Sequence, residues 1–389
     1  MTCSQTLGIS NQAIHVFTVI MLATSIYTTA KTGGNVTVGI LTSAIEKVKG
    51  LDAFKTQLKQ RKAMIASIED IGEQGRTGLF VIVIGESQTR DRMSAYGFER
   101  DTTPWLAQKS TDDHFVLMNN AYSCYPNTVR ALEQALTAHS QFSDRTLATS
   151  PSIVEIANAA GYEVSWLSNQ NMYGIWDAPT TVIANEASRQ VWINKAIGNG
   201  TESGHFDDEL LGELKKIPVD PQTKKLVFLH VLGCHGSYRQ RYPSSFDIWS
   251  GKTGSYDNAV RFSDNFTQQV YDLIKDRIDF QALVFMSDHG EDQKYGHNTD
   301  PFAWSMVRIP LWVAFSENFE KNAPNTVEAF KQNANKPFTN DMFFDMVCGL
   351  LDLKKQPYYD SNNDPASFTY SRQVEMLTTV NSQESVNRV

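Results

Sequence analysis

The stretch Phe80–Ser87, reading FVIVIGES, constrains this chain more than any other. Apolar residues from Phe80 to Ile84, mostly β-branched, run straight into Gly85-Glu86-Ser87. A strand with one wet face alternates apolar and polar residues. A continuous apolar run closed by glycine suits a strand buried on both faces, as in a parallel sheet covered by helices. Ligands of open α/β sheets bind at the carboxyl ends of the strands, and Glu86 sits just past such an end. Glu86 is therefore read as the first ligand of a metal site, with the other ligands arriving at the ends of later strands.

From residue 79 onward strand-like and helix-like segments alternate, which predicts an α/β architecture. The expected strands are Leu79–Ile84, Phe115–Asn119, Tyr162–Leu167, Leu226–Val231, Ala282–Ser287 and Leu311–Phe315. The expected helices are Val129–Ala138, Ser152–Ala160, Asp207–Lys216, Ser255–Ile278 and Thr339–Leu351, the last capped by Asn340-Asp341. Residues 1–78 read as a helical connector leading into a core domain at 79–355, and the polar residues 356–389 as a partly disordered tail. Within the connector, Ile14–Ile26 is the most apolar run. It falls short of the ~18–20 apolar residues of a membrane span, and buried helix, truncated span and weak signal segment all stay open.

Charge and cysteines exclude some classes. With 35 basic and 43 acidic residues the net charge is −8, and the only basic run is the short Lys59–Lys62 stretch, which argues against a nucleic-acid partner. Cys3, Cys124, Cys234 and Cys348 are scattered without a CxxC pair, so a zinc ribbon or a thioredoxin-type site is not expected.

Three further clusters follow predicted strands. Ser123–Arg130 is a loop opening onto a helix, where a hydroxyl either caps the helix or acts as a nucleophile toward an anionic substrate. Phe228–Gly236 holds His230 and His235 among glycines that allow close backbone approach. Phe285–Glu291 carries Asp288-His289, with His297 a short loop away. The remaining histidines, His15, His114, His139 and His205, follow no predicted strand and read as structural or surface groups. Together the clusters supply carboxylates, imidazoles and a hydroxyl. Such a donor set suits zinc better than magnesium or manganese.

The residues resemble a known family. Gly85-Glu86-Ser87 through Arg90, then Tyr96-Gly97, Arg100 and Thr102-Thr103-Pro104, are similar to the GE-x-x-x-R…YG-x-x-R-x-TTP signature of phosphoethanolamine transferases, in the sulfatase-like part of the alkaline phosphatase superfamily. Asn120–Cys124 with Thr128 resembles the family's nucleophile loop. Gly233–Gly236 and Ser287–Glu291 resemble its two metal motifs. The resemblance spans roughly Leu79 to Leu351. It implies a three-layer α/β/α sandwich around a mostly parallel sheet. It also implies that Glu86, Thr128, Asp288 and His289 hold a catalytic zinc, that Thr128 is the nucleophile, and that His235 and His297 bind a second metal or the incoming phosphate. Asn169 and Gln170 match substrate-contacting positions. The sequence departs from the family where Pro126 replaces the first threonine of the T-x-T loop, where the stapling cysteine pairs are missing, and where several membrane spans would precede the catalytic domain. A truncated chain or a soluble relative is expected on that account.

The activity implied is transfer of phosphoethanolamine from phosphatidylethanolamine to a lipopolysaccharide or other glycan, through a covalent phospho-threonine, at the periplasmic face of a bacterial inner membrane and close to the membrane surface. A sulfatase is the first alternative, because Cys124-Tyr125-Pro126 begins the Cys-x-Pro-x-Arg pattern, although Thr128 stands where the arginine should be. A phosphate-ester hydrolase using Thr128 and a catalytically weak binding protein are the others.

Overall fold

The structure is a computed structural model, and it describes residues 59–171, 178–194, 204–380 and 383–388. Ile14–Ile26 and most of the connector expected at 1–78 lie outside the described residues. The chain divides into two compact units, Met1–Lys62 and Ala63–Val389. The second contains everything discussed below.

In chain order its main elements are β1 (Gly78–Gly85), α1 (Pro104–Lys109), β2 (Phe115–Leu117), β3 (Asn120–Tyr122), α2 (Thr128–Ala135), α3 (Ile153–Ala159), β4 (Glu163–Ser168), α4 (Ala178–Ala184), β5 (Arg189–Trp192), α5 (Leu210–Leu214), β6 (Lys224–His230), α6 (Gly251–Ile274), β7 (Phe280–Ser287), β8 (Leu311–Phe315), α7 (Glu317–Asn322), α8 (Pro324–Asn333), β9 (Pro337–Thr339) and α9 (Phe343–Leu351). Seven strands form one sheet in the order β2-β8-β7-β1-β6-β4-β5. Its neighbours from β7 through β5 pair in parallel, and β8 runs antiparallel to both β7 and β2. The sheet is thus mixed but mostly parallel, as expected. Strands β3 and β9 form a small separate pair. At three residues each they are too short to show a period, and the sequence reading missed them.

β1 is central and buried along its whole length because it feeds two cores. Phe80, Ile82 and Ile84 point to one side, with Leu132, Ile153, Ile156 and Phe343 from α2, α3 and α9. Leu79, Val81 and Val83 point to the other, with Leu210, Tyr256, Val260 and Phe266 from α5 and α6. Each fully buried aliphatic of this kind contributes about 1.5–3 kcal/mol of apolar burial. A charge at Val81 would forfeit that and strand an unpaired ion in the sandwich. Among the described residues no helix is long and apolar enough to cross a membrane.

Registration sets the site. Ile84 is opposite both His230 of β6 and Met286 of β7, and His230 is opposite Ser168 of β4. The carboxyl ends of four parallel strands therefore finish level, and the residues after each emerge along one edge. At the amino ends, Lys225 Nζ donates to Asp279 at 2.6 Å and to the carbonyls of Pro218 and Asp220, while Arg277 clasps Asp279 through Nε and Nη2.

Several expectations shift. α6 begins at Gly251 and ends at Ile274, leaving Ile278 exposed beyond it. The segment expected as a helix over Asp207–Lys216 opens with a 3-10 turn at Asp207–Glu209 before α5. The caps assigned to Asn340 and Asp341 are not made, since α9 has no side-chain cap and both residues lie in a 3-10 turn ahead of it. Residues 356–388 are not a loose tail within their described part. Ala366, Tyr370, Leu377 and Val386 are buried, Arg372 donates to Asn363, and Val380 N–H donates to the Cys124 carbonyl at 2.9 Å. Their polar side chains are spent on turns and contacts with the core, which composition alone does not reveal.

Candidate functional site

Glu86 leaves β1 through a backbone held from several sides. A Cβ on Gly85 would come within 2.7 Å of the Phe285 ring, so any side chain there would force that ring to move. Gly233, at φ +48°, lets the β6 loop pass the Glu86 backbone, where an added Cβ would lie 2.9 Å from the Glu86 carbonyl oxygen. Cys234 N–H then donates to that same carbonyl. Ser87 Oγ donates to Glu86 Oε1 at 2.6 Å.

Asp288 and His289 arrive from the end of β7. Asp288 Oδ1 accepts from the backbone N–H groups of Ser87 and His289 at 3.1 and 2.7 Å. Its Oδ2 is buried with no hydrogen-bond partner among the described residues and lies 3.5 Å from His289 Nε2. His289 Nδ1 donates to the Gly290 carbonyl at 2.7 Å, so the neutral ring keeps its lone pair on Nε2, which faces Glu86 and Thr128.

Thr128 is the first residue of α2, behind the cap Asn127, whose side chain accepts from Arg130 N–H. Its Oγ1 lies 3.1 Å from Glu86 Oε2 and 3.2 Å from His289 Nε2. The loop leading to it is anchored by Asn340, which accepts from Cys124 N–H and donates to Ser123 Oγ and the Asp288 carbonyl. Thr379 Oγ1 donates to the Ser123 carbonyl from the C-terminal segment.

The electrostatics are those of a cluster short of positive charge. Burial pushes Glu86 up, but the hydrogen bond and charge of His289 outweigh it and hold the carboxyl well below its usual range. Burial, and then the Glu86 charge, push Asp288 up to about 8. Burial alone would lower His289, yet Asp288 and Glu86 carry it up to about 10. The three side chains place one ligand atom each within 4.8 Å of one another. Two carboxylates, one of them bearing the orphaned Oδ2 of Asp288, and an imidazole lone pair fit a divalent cation, which would supply the missing charge.

His297 Nδ1 sits 2.6 Å from Glu291 Oε2, and Tyr238 O–H donates to Glu291 Oε1. The ring of His297 lies 4.7 Å from that of His289 and 6.2 Å from that of His235. His235 and His297 thus stand beside the ligand cluster rather than within it. His230 lies deeper, edge-on to Trp166, with neither ring nitrogen hydrogen-bonded among the described residues, and burial lowers it to about 4.

The two positions expected to contact substrate fare differently from one another. Gln170 Nε2 donates to Glu86 Oε2 at 3.2 Å and to the Val231 carbonyl, at the cluster itself. Asn169 is fully buried, its Nδ2 bound to Asp207 and the His205 carbonyl. The outlying histidines behave as structural groups: His114 meets Glu320, His139 the Arg145 carbonyl and His205 Glu209, while His15 lies outside the described residues. Sequence reasoning assigned no role to Glu291 or Tyr238, and read Asn340 only as a helix cap. Glu291 stood inside a quoted motif, and it was the one signal available.

Comparison with known proteins gives the family. The sulfatase family matches residues 79–353. The phosphoethanolamine transferase EptC of Escherichia coli (strain K12) is 30% identical over 332 residues, covering 77% of this chain and 55% of its own length. The phosphoethanolamine transferase CptA of Salmonella typhimurium is 31% identical over 319 residues, covering 76% of this chain and 54% of its own. The chain therefore spans about half the length of these relatives. The crystal structure of the C-terminal periplasmic domain of Escherichia coli EptC, in complex with zinc, superposes with a TM-score of 0.72 at 25% identity, over 80% of this chain and 93% of that one. The integral membrane lipooligosaccharide phosphoethanolamine transferase A of Neisseria meningitidis shares the fold, with a TM-score of 0.66 at 19% identity, over 93% of this chain and 71% of that one. The chain belongs to the sulfatase family, in the alkaline phosphatase superfamily, and is closely related to the bacterial phosphoethanolamine transferases.

Proposed function

We propose that the protein moves phosphoethanolamine from phosphatidylethanolamine to a lipopolysaccharide or other glycan, at the periplasmic face of a bacterial inner membrane and next to the lipid surface. The observation that carries this reading is Thr128 Oγ1, set at a helix N-terminus within 3.1 Å of Glu86 and 3.2 Å of His289. A hydroxyl that only caps a helix has no need of a buried carboxylate and imidazole. Zinc held by Glu86, Thr128, Asp288 and His289 would lower the hydroxyl's pKa and offset charge on the phosphoryl group.

In the first step the Thr128 oxygen bonds to phosphorus while the bond to the diacylglycerol oxygen breaks. The proton lost by Thr128 ends on that leaving oxygen. In the second step the oxygen of an acceptor hydroxyl or protonated phosphate bonds to phosphorus, the bond to Thr128 breaks, and the proton lost by the acceptor oxygen goes to Thr128 Oγ1. The backbone N–H groups at the start of α2 favour the anionic group in both steps. His235 and His297, beside the cluster, would bind phosphate oxygens or a second metal. The residues provide positioning and electrostatic stabilisation, which is most of what phosphoryl transfer asks of a protein.

The sulfatase alternative gains nothing from Cys124. Its side chain packs with Tyr125, Ala131 and Val380, and burial pushes the thiol well up. The deciding experiment is intact-mass analysis of the zinc-loaded protein after exposure to phosphatidylethanolamine. A phosphoethanolamine adduct mapped to Thr128 is expected, and an adduct elsewhere, or none, overturns the reading.

A further inference from the structure

A groove of about 490 Å³ opens where the β6 loop meets the start of α6, lined by Ser237, Tyr238, Arg239, Gln240, Lys252 and Ser255 together with Gly236. It is tied to the site in two ways. Its near wall continues directly from His235, and Tyr238 donates to the same Glu291 carboxylate that engages His297. Its far wall, Lys252, donates through Nζ to the carbonyl of Gln293, in the loop that runs from His289 to His297. The groove and that loop are one hydrogen-bonded unit.

Its charge is unlike the rest of the molecule. The chain carries a net charge of −8, yet this lining holds two cations and no carboxylate. Arg239 has Asp247 at 3.4 Å with both side chains about half exposed, and Lys252 makes no ion pair among the described residues. Exposed pairs of that kind are worth little, so both cations stay available to a ligand. Ser237, Ser255 and the Gln240 amide add hydroxyl and amide groups of the sort that bind sugars.

We infer that this groove is the acceptor subsite, and that it takes a sugar bearing a phosphate or carboxylate. The inference rests on the transferase reading above. A two-step transferase must seat donor and acceptor around one nucleophile. The anion on the acceptor lies with Arg239 and Lys252, and the sugar's reacting oxygen reaches past Tyr238 toward His297 and Thr128. The same cations would speed encounter with an anionic surface in a salt-dependent way.

The test uses the full chain, zinc-loaded and without donor, titrated calorimetrically with a phosphorylated glucosamine disaccharide, its dephosphorylated form and a uronic-acid disaccharide. At least one anionic sugar should bind more tightly than the neutral one, and less tightly as salt rises. The double variant Arg239→Gln/Lys252→Gln, both at exposed positions and checked by thermal melting, should weaken anionic binding at least tenfold and leave neutral binding unchanged. Lys252→Arg should retain it. In turnover, the double variant should load Thr128 from phosphatidylethanolamine at the wild-type rate while KM for the anionic acceptor rises at least tenfold. No binding of either anionic sugar to the wild-type chain, equal binding by the variant, or a parallel loss of Thr128 loading each overturns the assignment. If the wild-type chain never loads Thr128, the transferase reading fails, while the titration still decides whether the groove binds anionic sugars.

Discussion

Two buried charge clusters lie at opposite ends of the same strands, and only one is at rest. At the amino ends, Asp279 faces Arg277 and Lys225, every contact is a short hydrogen bond, and the spare Lys225 protons reach backbone carbonyls. Burial would raise Asp279, but Arg277 and Lys225 carry it down to about 2. At the carboxyl ends, Glu86 and Asp288 share one imidazole, Asp288 Oδ2 has no hydrogen-bond partner among the described residues, and burial with Glu86 lifts Asp288 to about 8. Folding tolerates buried charge when it is matched, as below the sheet. The mismatch above it is where a cation or a substrate has work to complete, and perturbed carboxyls in such a place mark function.

The largest effect expected from breaking this contrast is at the upper end. Thr128→Ala removes the neutral member of the cluster and leaves its charges in place. Transfer should fall by at least ~10³-fold, about 4 kcal/mol in activation free energy, with the melting temperature of the zinc-loaded protein nearly unchanged. Wild-type turnover in that variant would sink the assignment of the nucleophile.

At the lower end the loss should appear as stability instead. Asp279→Asn leaves Lys225 and Arg277 buried without their anion, at a cost of about 3–5 kcal/mol, read by urea unfolding at neutral pH. The sign with pH follows from the lowered pKa. The carboxylate's contribution is fully present above the ordinary aspartate value and is lost as pH falls from there through about 2. The variant should therefore show a shallower acid limb. An equal acid slope in both proteins would mean that Asp279 is not the group holding this end together.

The matching change above is gentler on the fold. Asp288→Asn should abolish zinc binding by elemental analysis, yet leave the metal-free protein at least as stable as the wild type at neutral pH, because the group it replaces is not charge-matched. Asp288 has a raised pKa, so in the metal-free wild type its ionisation removes stability as pH climbs from the ordinary aspartate value through about 8. That part of the slope should vanish in the variant. A destabilisation as large as that of Asp279→Asn would erase the distinction between the two ends.

The charged members of the upper cluster were legible in the sequence because each follows a strand buried on both faces, and such strands announce themselves as unbroken apolar runs. Glu86, Asp288 and His289 needed only the parallel register to meet. What the sequence hid are partnerships across long separations with no period to betray them. Asn340 reads as a cap for α9 but spends its amide on Ser123, Cys124 and Asp288, more than 200 residues away in the first two cases. Asn169 follows a strand end like Gln170, yet turns inward onto Asp207. The signature residue Arg100 turns out to clasp Asp257 at 2.6 Å, beside Arg92, which does so at 2.5 Å, so part of the motif holds the scaffold rather than the site.

Cys124 offers the smallest and sharpest test, because it sits beside the upper cluster without belonging to it. Its backbone is committed on both sides, N–H to Asn340 and carbonyl to Val380 N–H, but its side chain lies in a small apolar cluster with Tyr125, Ala131 and Val380. Cys124→Ala removes one small buried group and should cost about 1 kcal/mol of stability, with transfer within twofold of wild type and zinc content unchanged. A sulfatase would need this residue oxidised to its nucleophile, and loss of all activity on its removal, with formylglycine found at 124, would favour that chemistry. Burial argues the other way: the charge of Asp341 adds to desolvation in pushing the thiol up, and a thiol kept protonated within an apolar cluster is poorly placed for attack or oxidation. The nucleophile loop thus splits within five residues, with Cys124 packed as support and Thr128 presented to the charges.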